Sequence, residues 1–331
     1  MDNNQNSFTE NQKAALLAIT VTQFSVPFML SSVGVALPTI GLELKASAMD
    51  LTLLETIFMA TTAIFLLPAG KLGDIHGRAR IFFTGLFLFT LVTFLIPLFS
   101  NIRLFIFFRA LQGVGGALEV ATGLAILADV FPPARRGHAI GITTAGVYAG
   151  LTAGPFIGGF LTSFIGWRWL FYSGGVLTFL ALLTSIRLLK LDSITTADKT
   201  FDYSGALLIM AAIAAIVSGS SHFKEDWAKA VFLLGLFLLA LFIFFEKKQK
   251  NPLIRVQLFF ENRPFTLGIF AQFINYSATF GVTFLMSLFL QNGCFLSAHK
   301  AGLILVSRPI IMTIFSPVFG KLCESKPPRF L

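Results

Sequence analysis

About ten stretches of 18 or more mostly apolar residues follow one another along this chain, near 14–38, 50–70, 80–99, 103–128, 137–163, 169–189, 204–221, 228–245, 265–290 and 301–322. Each is long enough to cross a hydrocarbon core of ~30 Å as a helix. In lipid every backbone N–H and C=O must be satisfied internally, so only helices or closed barrels can span. None of these runs shows the ten-residue alternation of a barrel strand. The expected class is an all-α polytopic membrane protein with about ten transmembrane helices. Composition agrees, since only 12% of the 331 residues are charged and 39 are phenylalanine, against roughly a quarter charged in globular chains.

The net charge of +9 would suit a nucleic-acid partner, but the positions of the basic residues exclude that reading. With the N-terminus inside, seventeen lysines and arginines fall in cytoplasmic segments, among them Lys71, Arg78, Arg80, Arg135, Arg136, Lys190, Lys199, Lys247, Lys248, Lys326 and Arg329. Six fall in outer loops, and Arg109 and Arg308 lie inside spans. The positive-inside rule then predicts a multi-pass protein of the plasma (inner) membrane with a cytoplasmic N-terminus, with headgroup contact as a secondary effect. Residues 1–12 carry no basic n-region and precede no small-residue cleavage site, so the first span is read as retained. Cys294 falls on the outer side and Cys323 on the inner, and His76, His138, His222 and His299 have no ligand spacing. No disulfide, metal or cofactor is expected.

Within the fifth run, Gly146, Gly150, Gly154 and Gly158 recur at every fourth position, with Pro155 and Gly159 beside them. Such a row places four missing side chains on one helix face, where a neighbouring backbone can come close. In a soluble helix each interior glycine costs about 1 kcal/mol against alanine. In a bilayer, small residues are instead how helices associate.

Two loops are alike. The second span ends Pro68-Ala-Gly70-Lys71-Leu72-Gly73-Asp74, followed by Gly77-Arg78-Ala-Arg80; the tenth ends Pro317-Val-Phe-Gly320-Lys321-Leu322-Cys-Glu324, followed by Arg329. A parallel repeat of this kind marks transporters built from two homologous helical halves. The expected division is a six-helix N-terminal bundle over 1–190, two inserted helices with cytoplasmic flanks over 191–263, and the first two helices of a second bundle over 264–331. On that reading the second half lacks about four spans, and the sequence is expected to be a truncated fragment whose partner would be the missing half. An inactive remnant, or a membrane interaction protein using its glycine face, is the alternative from outside transport.

These residues resemble the major facilitator superfamily, and within it the fourteen-helix drug:proton antiporters. Gly70 to Arg80 is similar to the signature loop after the second helix. Arg109-Ala-Leu-Gln112-Gly113-Val-Gly115-Gly116 is similar to the fourth-helix motif, and Gly150-x-x-x-Gly154-Pro155-x-x-Gly158-Gly159 to the antiporter motif. Trp167-Arg-Trp169 and Phe201-Asp-Tyr-x-Gly205 also match. The resemblance implies that Asp74 docks on the positive end of a helix in the second half, latching one state, with Arg78 and Arg80 pairing nearby. It implies that Arg109 faces the cavity and modulates protonation. The chain departs from the family at Met29, where an acid is usual, at Ala121, where a proline is frequent, and at Arg308, where the residue is usually apolar.

Ionisable groups inside spans are costly and are functional candidates by default. Glu119 lies near the midplane of the fourth span, seven residues after Gln112 and so on nearly the same face. Desolvation favours a neutral carboxyl, which makes Glu119 the first proton-coupling candidate, with a structural pairing as the alternative. Arg109 lies about 15 Å from it along the axis. Arg308, about two turns from the outer surface, either contacts solute or snorkels outward. Gln23, Ser31, Gln272, Asn275 and Tyr276 are the polar cavity candidates, in an otherwise apolar pocket. Trp167, Trp169 and Tyr172 are expected in an interfacial belt, and Glu55 near the interface. Gly113-Val-Gly115-Gly116 lies inside a span and follows no strand, so it is no phosphate loop, and no enzyme motif is found. The function expected is secondary, proton-coupled efflux of apolar or amphipathic small molecules. Metabolite-anion uptake with Arg109 and Arg308 as ligands is the alternative within transport.

Overall fold

The computed structural model describes residues 8–188, 200–295 and 298–325. Lys190, Asp198, Lys199, Lys326 and Arg329, and the His299 side chain, lie outside the described residues. The described chain is helical, and the helices run past their apolar stretches: α1 Glu10–Leu44, α2 Ala48–His76, α3 Arg78–Leu95, α4 Ile102–Val130, α5 Pro133–Phe164, α6 Arg168–Leu188, α7 Tyr203–Ser221, α8 Asp226–Glu246, the short α9 Leu258–Glu261, α10 Arg263–Leu288 and α11 Ala298–Ser325. Nine helices among the described residues are long and apolar enough to cross a membrane. The tenth expected stretch, near 265–290, corresponds to α10, several of whose side chains lie outside the described residues.

Helix boundaries follow local chemistry. Thr9 and Gln12 form a capping box on α1, and Ser47 and Asp50 form one on α2, each satisfying backbone donors that the first turn leaves open. Gly77 turns the chain from α2 into α3 at φ 97°, and Gly166 turns α5 into α6 at φ 110°. Both lie in the left-handed region that only glycine adopts without strain. Six prolines lie inside helices, at 27, 38, 68, 155, 309 and 317, which membrane helices tolerate because neighbours re-satisfy the freed carbonyls.

Helices α1 to α6 form one bundle. α1 runs along α5 and α6, α4 lies between α2 and α3, and α3 reaches α6. The α7–α8 hairpin rests against α2, while α11 runs along α5. The bundle core has two centres. One, toward the C-terminal end of α1, gathers Phe28, Met29, Leu54, Phe58, Phe89, Phe105 and Trp167. The other, toward the N-terminal end of α1, gathers Ile19, Phe82, Leu86, Ile126, Leu127 and Phe131.

Trp167 corrects the belt expectation. It is buried at 1% exposure, stacked on Phe105 at 5.4 Å and edge-on to Phe171. Its indole Nε1 donates to Glu43 Oε2 at 2.7 Å. Arg168 pairs with the other Glu43 oxygen and donates from Nε to Pro97 O at 3.1 Å. An aromatic beside a helix boundary thus plugs one end of the bundle, whereas Trp169 is exposed and packed against Tyr172. Glu55 is half-buried on α2 beside Gly34 of α1.

Candidate functional site

The glycine row has a definite partner. A Cβ on Gly150 would overlap the Phe24 carbonyl, and one on Gly154 would overlap the Ser31 hydroxyl. On Gly158 it would lie 2.7 Å from Ser32 Cβ, and on Gly146 3.0 Å from Thr20 O. Four glycines of α5 therefore seat the backbone of α1 directly. Ser31, expected in the cavity, is consumed in this contact, donating to Pro27 O at 2.9 Å and facing Gly150 O at 3.4 Å. Gly159 has only ordinary contact with Val35.

Gly113 and Gly115 do the same for α4. A Cβ on Gly113 would overlap Thr61 of α2, and one on Gly115 would lie 2.8 Å from Phe89 N of α3. This threading of α4 between two helices holds Arg109 at 0% exposure. Its Nη1 donates to Gln112 Oε1 at 2.7 Å, and its guanidinium carbon stacks 4.5 Å from the Phe58 ring centre. Gln112 Nε2 passes the chain on to Thr93 Oγ1 at 2.6 Å, and Thr93 donates to Phe89 O at 2.6 Å. Arg109 and Gln112 thus form a relay joining α4 to α3 inside the bundle. Among the described residues, Arg109 Nη2 has no hydrogen-bond partner, and Glu55 is the acid whose field reaches the guanidinium.

Glu119 is buried at 1% exposure. Neither carboxyl oxygen has a hydrogen-bond partner among the described residues. That is unusual, because a buried carboxyl left unpaired carries its whole desolvation cost. The structural pairing considered for Glu119 is therefore not made among the described residues. Met29, where an acid is usual, is fully buried beside Gly174 of α6.

A cavity of about 480 Å³ lies between α1, α4 and α5 on one side and α10 and α11 on the other. Its polar lining among the described residues is Gln23, Thr143, Thr144, Tyr148, Tyr276, Thr279 and Arg308; Val26, Val120, Leu124, Val147, Leu151 and Leu305 supply apolar walls. Of the residues expected from sequence, Gln23, Tyr276 and Arg308 line it. Arg109, Gln112, Glu119, Ser31, Gln272 and Asn275 are not among its described walls, although Val120, next to Glu119, is. Arg308 Nη2 donates to Thr279 Oγ1 at 2.5 Å, and Nη1 lies 3.4 Å from Thr279 O. Arg308 thereby bonds across to α10. Thr143, Thr144, Tyr148 and Thr279 were missed because threonine hydroxyls satisfy themselves on their own helix, as Thr143 does on Ile140 O at 2.9 Å, and so leave no mark in a sequence.

The two similar loops make different contacts. Asp74 Oδ1 accepts from Arg78 Nε and Nη2 at 3.0 and 2.9 Å, and Arg78 Nη1 contacts both oxygens of Asp129 at 2.8 Å. Asp74 is thus engaged within its own bundle, and Asp129, at the end of α4, is a member the sequence reading overlooked. Arg80 is exposed. Lys71 donates to Pro252 O at 2.8 Å, tying the segment after α8 to α2. A Cβ on Gly73 would lie 2.7 Å from Thr122, whereas Gly70 has open space. In the second copy, Glu324 Oε1 accepts from His138 N at 2.8 Å near the start of α5, the positive end of that helix. A Cβ on Gly320 would lie 2.5 Å from Gly137 O, and one on Gly141 2.6 Å from Ser316 O. The acid of the second loop therefore makes the contact with the opposite half that the resemblance assigns to Asp74.

Comparison with known proteins fits this geometry. The sequence profile of the Major Facilitator Superfamily matches residues 19–331. Riboflavin transporter RibZ of Clostridioides difficile (strain 630) is 30% identical over 309 residues, covering 93% of this chain and 67% of its own length. Multidrug transporter protein MdtP of Bacillus subtilis (strain 168) is 30% identical over 296 residues, covering 88% and 54%. The chain thus spans about half to two thirds of the length of these curated relatives. Among solved structures, the proton:xylose symporter XylE superposes with a TM-score of 0.58 at 14% identity over 97% of this chain and 70% of its own, a likeness of fold alone.

Proposed function

The chain belongs to the Major Facilitator Superfamily, and from that premise we propose that it serves proton-coupled efflux of amphipathic small molecules by alternating access. The observation that carries the reading is the pairing of a solute-sized cavity between the bundle and α10–α11 with an unpartnered acid, Glu119, one residue from the cavity wall. Transporters of this architecture bind solute near the midplane, where two helical halves rock against each other. The rocking surface is the close contact of α5 with α11 at Gly137, Gly141 and Gly320, while the glycine row that seats α1 keeps the first bundle rigid. Glu119 takes up and releases the proton, and Arg109 with Gln112 holds α4 in register with α3. Relatives named as multidrug and riboflavin transporters agree with an apolar cavity carrying few fixed hydrogen-bonding groups.

In proteoliposomes with an imposed proton gradient, solute addition should release protons on the side from which solute is taken up, and Glu119→Gln should abolish that release while leaving solute binding intact. Unchanged proton movement in Glu119→Gln would remove Glu119 from the mechanism. The proposed placement, in the plasma membrane with a cytoplasmic N-terminus, has its own test in two exposed thiols, Cys294 and Cys323. A membrane-impermeant maleimide should label Cys294 in intact cells and Cys323 only after permeabilisation.

A further inference from the structure

The charges of the cavity are one-sided. Arg308 lines it, held by Thr279, and no carboxylate pairs with Arg308 among the described residues. The sequence explains why: residues 262–323, which hold α10 and nearly all of α11, contain no aspartate or glutamate. No acid is among the described walls contributed by α1, α4 and α5 either. Glu119 is buried away from these walls, and Glu55 belongs to the field around Arg109. Tyr148 and Tyr276 lie within electrostatic reach of each other, and Arg308 acts on Tyr148 as well, so two phenol rings and one guanidinium converge on the same space. A cation kept at membrane depth without a counter-charge is costly, and a guanidinium fork matches carboxylate or sulfonate geometry.

We infer that this cavity takes a solute with a flat apolar body and an anionic group, the anionic group lying on Arg308 and the body between Tyr148 and Tyr276. The inference rests on the transport reading only in taking this cavity as the solute site. Thr279 is a positioning residue: it fixes the guanidinium so that one face remains available. The apolar walls give the solute its affinity, and Arg308 gives it the sign of its charge. Cationic amphiphiles of the same shape are disfavoured by the same group, a repulsive element of specificity.

The test uses two xanthene dyes of similar shape and opposite charge, fluorescein and rhodamine 123. Their binding to the full chain in phosphatidylcholine nanodiscs is followed by fluorescence anisotropy at pH 8. Fluorescein should bind more tightly by about tenfold or more, the scale of one charge-assisted contact. Arg308→Gln should remove that advantage, Arg308→Glu should invert it, and Arg308→Lys should keep most of it. Thr279→Val should give a partial loss, which keeps the idea testable if an Arg308 variant does not fold. Tighter binding of rhodamine 123, or a dye preference unmoved by Arg308→Glu, would overturn the inference. Arg308-dependent fluorescein binding without movement of either dye across proteoliposomes would sink the transport reading and leave the cavity's assigned chemistry standing. Gradient-driven movement of rhodamine 123 alone would do the reverse.

Discussion

Arg109 and Arg308 are both arginines inside apolar helices, yet the protein surrounds them in opposite ways. Arg109 is wrapped: Gln112 accepts from it, Phe58 covers it, and Gln112 carries the contact on to Thr93. Arg308 is held from one side by Thr279 and stands open on a cavity. The difference teaches that depth in the membrane does not by itself make a charge a ligand. What matters is whether neighbouring side chains enclose it or leave it facing a cavity. Arg109 and Gln112 lie inside the six-helix bundle and join its helices, whereas Arg308 faces the space where a solute would sit.

The sharpest way to break the bundle side of this contrast is Gly154→Val, which would drive a side chain into Ser31 of α1. Its Cβ alone would overlap the Ser31 hydroxyl and press on Ser31 Cβ and Ser32 N at 3.0 Å, and the added methyls would force α1 and α5 apart, so a loss of about 3 kcal/mol is expected, read as collapse of the monodisperse species in detergent. Arg109→Met comes next. It strands Gln112 and removes the stacking on Phe58, costing about 1–3 kcal/mol by thermal unfolding; a double variant with Gln112→Leu should recover part of that, because both partners leave together. Asp129→Asn, at the end of α4, weakens a partly exposed pair with Arg78 and should cost about 1 kcal/mol or less, an effect that shrinks in high salt. Arg308→Met should be smallest in stability, within about 0.5 kcal/mol, since it removes one bond to a threonine that can back-bond to its own helix; it should be large only in solute binding.

Much of this architecture is legible in the residues. Apolar length marks the spans, the four-residue glycine period marks the α5 face, and the repeated Gly-Lys-Leu loop marks the ends of α2 and α11. The cavity is much less legible, for a physical reason. In a bilayer both the lipid-facing and the core-facing sides of a helix are apolar, so no periodicity says which side is which. On α10, Asn275 and Tyr276 are adjacent, yet only Tyr276 lines the cavity. On α1, Gln23 lines the cavity while Ser31, two turns on, is spent against α5. Trp167 shows the same ambiguity at a boundary, where an aromatic fits a headgroup belt or a plug between helix ends. Asp129 escaped notice because nothing about its sequence position signals Arg78, 51 residues earlier.

The most direct measurement is a paired one on Arg109→Met and Arg308→Met: thermal unfolding in detergent beside the ratio of fluorescein to rhodamine 123 affinity. The account predicts that Arg109→Met lowers the unfolding temperature and leaves the dye ratio of the surviving folded protein unchanged, while Arg308→Met leaves the unfolding temperature and erases the ratio. A dye ratio erased by Arg109→Met and kept by Arg308→Met would contradict it.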